Sequence, residues 1–215
     1  MELYILRHGT TEWNRTHRLQ GRTDTELDGE GIRLAKETGE KLKDLHFDAA
    51  YSSPLKRAYD TAVYVLGDRK LPIIKDERLA EFSFGDWEGM NCDPGNPKAS
   101  KEAIDSLKFN LDNYTAPPHG ESMQELIDRT HSFYDEIIHK PELQGKRILV
   151  SMHGGSGRAL MHSVWQDRDF WHGKVPPNCS FCIVTVENGK AVHVEKDVVY
   201  YSENVTDYYA IDKKA

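Results

Sequence analysis

A short apolar run that gives way to polar and glycine residues, followed by a helical pattern, recurs along this chain and limits its fold more than any other feature. Residues 3–6 form such a run, and residues 28–42 then repeat apolar side chains at helical spacing behind a capping Asp28. Residues 47–51 start a second unit, and residues 148–150 start a third. Strands that alternate with helices are typical of an α/β fold with a doubly wound, mostly parallel sheet that is flanked by helices.

Turn residues indicate where further elements begin. Ser53 and Pro54 predict the N-cap and the first residue of the second helix, and a short third strand is expected at residues 72–74. Asn188 and Gly189 separate two β-type runs and predict a two-residue turn. The sequence therefore predicts an antiparallel hairpin at the edge of the sheet.

Residues 90–120 differ from the rest of the chain. They are rich in proline, glycine and asparagine around one helical patch at residues 101–111, which favours an excursion over another sheet unit. We expect a small helical cap inserted into a single domain that spans residues 1–215. A capping box formed by Ser122 and Glu125 predicts that regular structure then resumes, and a later helical run is expected from Arg158 to Trp165.

Length and charge exclude several classes of protein. A chain of 215 residues has the length of one domain, or of one domain with an insertion. No apolar run approaches the roughly 20 residues of a membrane-spanning helix, so no membrane partner is expected. The 28 Lys and Arg against 35 Asp and Glu give a net charge of -7, which disfavours a nucleic acid partner. Because neither a basic segment nor a cleavable apolar stretch precedes the first strand, we expect a cytoplasmic protein.

The cysteines are too few for a disulfide scaffold in a chain of this length. Cys179 and Cys182 form a C-x-x-C, a spacing that redox pairs and zinc sites use. A redox pair normally lies at a helix N-terminus, and a zinc site needs a second pair of ligands nearby, whereas these residues lie in a β-type run. The histidines show no metal-ligand spacing either. The sequence therefore predicts ordinary strand residues here and no metal.

Ligands of open parallel sheets bind beyond the carboxyl ends of the strands. The chain places two imidazoles, two guanidinium groups and a carboxyl group after such ends: His8, His153, Arg7, Arg57 and Glu81. Transfer of a phosphoryl group from a monoester needs a nucleophile, cations for the phosphate oxygens and an acid for the leaving group. Together the five residues supply all three.

Each residue type suits a separate part of this reaction. A neutral imidazole has an in-plane lone pair at physiological pH and can act as a nucleophile. Planar guanidinium groups match phosphate oxygens better than the point charge of lysine does. Gly154 and the glycines after it let backbone N–H groups approach an anion, and the next helix directs its positive end the same way.

The same residues also have plainer interpretations. Arg57 could pair with Asp60 on the face of its helix. His153 could be a histidine whose hydrogen bonds are satisfied within the core. Three other carboxyl groups lie near Glu81 in sequence and could take its place: Glu77, Asp86 and Glu88.

A longer set of motifs runs in a fixed order along nearly the whole chain. It comprises Leu6-Arg7-His8-Gly9, Thr11-Glu12-Trp13-Asn14, Gln20-Gly21, Ser52-Ser53-Pro54-Leu55, Arg57-Ala58, Leu79-x-Glu81, Phe84-Gly85-x-x-Glu88-Gly89, Gly120-Glu121-Ser122 and His153-Gly154. This ordered set resembles the signature of the histidine phosphatase superfamily, the phosphoglycerate mutase-like proteins, and within it the phosphatase branch.

The resemblance implies a role for each matched position. His8 would accept the phosphoryl group, and Glu81 would donate a proton to the leaving group. The implied phosphate ligands are Arg7, Arg57, His153, Asn14 and the backbone of Gly21. The implied cycle passes through a phosphohistidine and needs no cofactor.

Two activities are open to proteins of this family. Mutases typically have an arginine directly after the acid, whereas Phe82 follows Glu81 here. The sequence therefore favours a metal-independent phosphatase whose partner is a small phosphorylated metabolite. A cofactor-dependent phosphoglycerate mutase and a phosphate-ester-binding pseudoenzyme are the alternatives. A homodimer is one assembly open to the chain.

Overall fold

The computed structural model shows the α/β sheet with helices on both faces that the sequence predicts. It describes residues 1–93, 95–98, 100–101, 114–165 and 175–202. The strands are β1 (Glu2–Arg7), β2 (Ala49–Ser52), β3 (Ile73–Lys75), β4 (Arg147–Met152), β5 (Phe181–Glu187) and β6 (Lys190–Val198). The helices are α1 (Glu12–Arg15), α2 (Gly29–Lys41), α3 (Lys56–Leu66), α4 (Met123–His139) and α5 (Gly154–Trp165). None of the helices in these ranges is long and apolar enough to cross a membrane.

The order of the strands decides which chain segments meet. The sheet runs β3-β2-β4-β1-β5-β6. The first four of these strands are parallel, β5 is antiparallel to β1, and β6 is antiparallel to β5. Although β4 comes late in the sequence, it lies between β1 and β2. The carboxyl ends of these three strands therefore share one edge of the sheet.

The antiparallel edge forms as predicted. Asn188 and Gly189 have φ values of 52° and 71°. Two successive residues in the left-handed region match the twist of a two-residue hairpin turn, which Asn-Gly favours. The strands on either side are longer than the sequence indicates, and β3 lies one residue later than predicted.

The side chains of β1 show how the sheet divides the core into two layers. Tyr4 and Leu6 pack with α2 and α3 on one face of the sheet. Leu3 and Ile5 pack with α4 and α5 on the other face. Successive strand residues point to opposite faces, so a strand that is apolar throughout is buried on both sides.

The start of α3 corrects one prediction. Ser53 is not its N-cap: the helix begins at Lys56, and the capping position, Leu55, has no side-chain hydrogen bond. Instead, the carboxylate of Asp24 accepts a hydrogen bond from the Lys56 N–H at 2.7 Å. The hydroxyl group of Ser53 contacts His153 at 2.8 Å and also accepts a hydrogen bond from the N–H of Leu55 at 3.3 Å, one residue before the helix.

The start of α5 corrects a second prediction. The helix begins at Gly154 rather than at Arg158, so the glycine run forms its first turn. The Glu81 carboxylate accepts hydrogen bonds from the N–H groups of Gly155 and Ser156. A carboxylate at the first turn satisfies donors that no local side chain caps.

Only part of the predicted cap lies within the described residues. The helical patch expected at residues 101–111 falls outside them, except for Lys101. An antiparallel bridge between Arg18 and Asn91 ties the start of the segment to the loop after α1. At its end, Ser122 and Glu125 form the predicted capping box of α4. The cap and the single domain that carries it stay predictions.

Candidate active site

The carboxyl ends of β1 and β4 bring His8 and His153 together. The backbone N–H of His8 donates to the carbonyl of Met152 at 3.0 Å, which continues the pairing of the two strands. The centroids of the two imidazole rings lie 5.1 Å apart. The two histidines are 3% and 2% exposed. The sheet thus places the two predicted imidazoles side by side in a buried position.

One hydrogen bond fixes the tautomer of His8. Its Nδ1 lies 2.6 Å from the carbonyl oxygen of Gly9. A carbonyl oxygen only accepts, so Nδ1 carries the proton and Nε2 keeps its lone pair when the ring is neutral. Burial, with the nearby charges of Arg57 and Arg7, lowers the pKa of His8 well below its ordinary value. His8 therefore presents a neutral, nucleophilic nitrogen at physiological pH.

His153 is held through Nε2, whereas His8 is held through Nδ1. Its Nε2 lies 2.8 Å from the Oγ of Ser53. Its Nδ1 is buried and has no hydrogen-bond partner within the described ranges. A core histidine with satisfied hydrogen bonds would use both nitrogens, whereas His153 uses Nε2 alone within these ranges. Burial and the charge of Arg57 lower the pKa of His153 well below its ordinary value.

The two lowered pKa values predict a pH dependence of stability. As pH falls below 6.5, the unfolded chain binds protons at these positions before the folded protein does. The free energy of unfolding therefore decreases, by about 1.4 kcal/mol per pH unit for each histidine. Between pH 7.5 and pH 5.5, urea unfolding should show a smaller loss of unfolding free energy in His8→Asn than in the wild type, by up to about 1 kcal/mol. Equal losses in the two proteins would contradict the lowered pKa of His8.

Arg57 is the most deeply placed cation of the site. It lies in the first turn of α3 and is fully buried. Its Nη2 donates to the carbonyl of Gly21 at 2.6 Å, and its Nη1 donates to the carbonyl of Thr23 at 2.9 Å. These bonds turn the guanidinium inward, toward the two histidines whose pKa values it lowers.

Arg7 and Gly154 lie next to each other, and each is adjacent in the chain to one of the two histidines. Arg7 is 8% exposed, and its Nη1 donates to the carbonyl of Pro176. Gly154 begins α5 directly beside it, because a Cβ built on this glycine would lie 3.7 Å from the Nε of Arg7. A guanidinium and the first turn of a helix thus meet where the sequence places a phosphate site.

Asn14 and Gly21 are both buried near this edge. The Asn14 Oδ1 accepts from the N–H and the hydroxyl of Thr11 at 3.1 and 3.0 Å, which caps α1. The Gly21 carbonyl holds Arg57, and a side chain at this position would collide with Glu88 and with the carbonyl of Phe82. The structure therefore shows that the backbone of Gly21 positions Arg57, and its predicted contact with phosphate stays a prediction.

Glu81 is joined to the helix that follows His153. It is 6% exposed. Its Oε2 accepts from the N–H of Gly155 at 3.0 Å, and its Oε1 accepts from the N–H groups of Ser156 and Phe82, each at 2.7 Å. Because Gly155 is two residues from His153, the carboxyl group lies at the same edge as the histidines.

The other carboxyl groups near Glu81 have different surroundings. Glu77 and Asp86 are exposed, and Asp86 pairs with His119 at 2.9 Å. Glu88 accepts from the N–H groups of Arg22 and Thr23 at 2.9 and 2.7 Å, so it holds the loop that contacts Arg57. Among the four candidates, Glu81 is the one bound to the start of α5.

Sequence reasoning missed the roles of two residues in this region. Local capping rules predict a helix cap at Ser53, although its place directly after β2 is a signal for the site edge. The sequence offers Glu88 as an alternative to Glu81, and no local pattern indicates that it binds the loop at residues 22–23.

Cys179 and Cys182 do not form a disulfide. Cys179 lies in the turn before β5 with φ 56°, which differs from the strand position predicted for it, and Cys182 lies in β5. Both thiols are free, and the Sγ of Cys182 lies 3.6 Å from the sulfur of Met161. Within the described part of the chain, no cluster of three His, Cys, Asp or Glu side chains could hold a metal ion.

Comparison with known proteins gives the class to which this fold and site belong. A family model of the histidine phosphatase superfamily matches residues 3–197. The chain belongs to this superfamily of enzymes, as its ordered motifs predict. The matching model is that of branch 1.

Individual relatives include both mutases and phosphatases. A phosphoglycerate mutase of Schizosaccharomyces pombe is 37% identical over 164 residues, which cover 74% of this chain and 77% of that protein. The structure of YhfR from Bacillus stearothermophilus matches with a TM-score of 0.79 and 30% sequence identity. The match covers 93% of this chain and 98% of the YhfR chain. A mycobacterial glucosyl-3-phosphoglycerate phosphatase has a TM-score of 0.76 and 28% identity, with coverage of 94% and 99%.

Proposed function

We propose that the protein is a metal-independent phosphomonoesterase that hydrolyses a small phosphorylated metabolite through a phosphohistidine. One observation carries the proposal: the 2.6 Å bond from Nδ1 to Gly9 leaves the Nε2 lone pair of His8 available beside two buried guanidinium groups. Fixed cations attract a phosphate ester and stabilise the charge that develops as it reacts. A neutral nucleophile and fixed positive charge are the two requirements for attack on phosphorus.

The first half of the reaction would transfer the phosphoryl group to His8. A bond forms between Nε2 and phosphorus while the bond from phosphorus to the ester oxygen breaks. Arg7 and Arg57 neutralise the phosphoryl oxygens, with the Asn14 amide and the backbone at Gly21 and Gly154 as further donors. The carboxylic acid form of Glu81 gives its proton to the leaving oxygen, and the product alcohol departs.

The second half would return the enzyme to its starting state. Water attacks the phosphorus of the phosphohistidine, the bond from phosphorus to Nε2 breaks, and inorganic phosphate departs. The Glu81 carboxylate takes a proton from this water and is again ready to act as an acid. His153, held by Ser53, presents its unpartnered Nδ1 beside the phosphoryl group in both halves.

Hydrolysis is favoured over isomerisation by the residue after the acid. Phe82 is fully buried, and its ring centroid lies 4.9 Å from that of Tyr114 and 5.1 Å from that of Phe84. An apolar cluster at this place provides no cation for the second phosphate group of a mutase. The second candidate is still a phosphoglycerate mutase, because a relative of that name is 37% identical.

Phosphate release separates the two activities. We expect the purified protein to release inorganic phosphate from a panel of phosphorylated metabolites in the presence of EDTA. With 3-phosphoglycerate it should form no 2-phosphoglycerate, whether or not 2,3-bisphosphoglycerate is added. His8→Ala, prepared in the same way, controls for contaminating phosphatases.

Two results would count against the proposal. Isomerisation of 3-phosphoglycerate that requires the bisphosphate would identify a mutase. Loss of phosphate release in EDTA, with recovery on adding Mg²⁺ or Zn²⁺, would show that a metal ion takes part.

The proposed substrate sets what is expected of other partners. A small phosphorylated metabolite would bind at the edge that carries His8. Neither a nucleic acid nor a membrane enters this proposal, and a homodimer in the cytoplasm is the assembly and location that we propose.

A further inference from the structure

Arg129 on α4 is a nearly buried arginine that the proposed reaction does not use. Its side chain is 15% exposed. Its Nε and Nη2 donate to the two carboxylate oxygens of Glu121 at 2.6 and 2.9 Å. Its Nη1 donates to the carbonyls of Arg78 and Ala80 at 2.7 and 2.6 Å, and its Nη2 donates to that of Glu81 at 3.0 Å. A guanidinium has five N–H groups, and these five bonds use all of them.

Glu121 holds the same segment from a second direction. Its side chain is 8% exposed, and its Oε2 also accepts from the N–H of Ser83 at 3.3 Å. The N–H of Glu121 itself donates to the carbonyl of Ser83 at 2.9 Å. Two parallel bonds between a guanidinium and a carboxylate fix both groups in orientation as well as in distance. We call these two residues the Arg129–Glu121 pair.

The pair therefore fixes the main chain on both sides of the proposed acid. It binds the carbonyls of residues 78, 80 and 81 and both backbone groups of residue 83. The carboxyl group of Glu81 is bound separately, at the first turn of α5. The backbone of the acid and its reactive end thus have independent anchors.

We propose that Arg129 and Glu121 are positioning residues for Glu81, a role that rests on the proposed function. They keep the backbone of Glu81 in the position from which its carboxyl group reaches the leaving oxygen. A general acid must lie within about 3 Å of the atom that it protonates, so a small backbone shift lowers its contribution. Arg129 itself does not bind substrate, because its donors are already occupied.

The test compares two esters that differ in their need for an acid. Phenyl phosphate releases a basic oxygen that needs a proton, whereas 2,4-dinitrophenyl phosphate releases a weakly basic one that does not. In Arg129→Gln we expect kcat/KM for phenyl phosphate to fall about tenfold or more, and that for the dinitrophenyl ester to fall less than about threefold. Arg129→Lys keeps the charge and three donors, so it should recover part of the loss. Glu121→Gln should show the same selectivity as Arg129→Gln.

Controls separate positioning from folding. Arg33→Gln makes the same substitution on α2, where Arg33 pairs with Glu30 and Glu37 at the surface. This variant should keep the wild-type kcat/KM for both esters. Equal losses for both esters in Arg129→Gln and Glu121→Gln would indicate a merely structural role and overturn the proposal. If Arg129→Gln does not fold, Arg129→Lys and Glu121→Gln decide the question.

Glu81→Gln shows which proposal has failed. Its kcat/KM for phenyl phosphate should fall about 10²-fold or more, and its kcat/KM for the dinitrophenyl ester should fall much less. If it does and the pair variants do not, the positioning role is wrong and the proposed function stands. If Glu81→Gln is not selective, the acid assignment fails, and the positioning role fails with it. A wild-type protein that hydrolyses neither ester would overturn both.

Discussion

Replacement of His8 by alanine is expected to reduce phosphate release by about 10⁴-fold or more, because it removes the nucleophile from the reaction. The fold should persist, since the ring of His8 lies at the end of β1 and only its backbone takes part in strand pairing. Phosphate release is measured alongside circular dichroism. His139→Ala, which removes an exposed histidine on α4, is the matched control and should keep full activity.

The covalent intermediate provides the second measurement on the same variant. Brief mixing of the wild-type protein with a ³²P-labelled ester, followed by an alkaline quench, should leave label on the protein that acid removes. His8→Ala should carry none. Turnover by a clean His8→Ala preparation would eliminate the phosphohistidine route. Tight binding of the ester without label or turnover in the wild type would instead identify a pseudoenzyme.

Replacement of Arg57 by lysine is expected to lower kcat/KM for phosphate esters by about 10²- to 10³-fold. The guanidinium binds the carbonyls of Gly21 and Thr23 while its charge lies next to both histidines. A lysine keeps the charge but lacks the planar fork, so it cannot hold this loop and a phosphate oxygen together.

A second arginine provides the control for Arg57. Arg69 donates to the carbonyls of Val65 and Leu66 at the end of α3, at 3.2 and 2.8 Å. Arg69→Lys makes the same substitution at a similar backbone-binding site, and its kcat/KM should stay within about twofold of the wild type, because no phosphate contact is lost. A similar small effect in Arg57→Lys would show that Arg57 does not bind the phosphate.

The parts of the molecule that the sequence predicts are those with local signals. The apolar run at β1, the Asp28 cap of α2 and the Asn188–Gly189 turn each depend on residues within a few positions. Parallel pairing then brings strand ends together without further information. The meeting of His8 and His153 could therefore be predicted from two runs that are far apart in the chain.

The parts that the sequence does not predict depend on distant donors and acceptors. Asp24 caps α3 and Glu81 caps α5, so both helices begin at positions that local capping rules do not indicate. Arg129 binds carbonyls that lie 51, 49 and 48 residues away, at positions 78, 80 and 81. Backbone carbonyls leave no trace in the residue types, so such contacts are visible only in the folded molecule.

The adjacency of β1 and β4 makes the gap between the two imidazoles a property of peptide geometry. Neighbouring strands lie about 4.7–4.9 Å apart, and the ring centroids lie 5.1 Å apart. No loop has to keep its length or shape for this gap to persist. The surrounding loops can therefore change in length or in side chains and admit differently shaped molecules. The distance between the two imidazole rings stays the same.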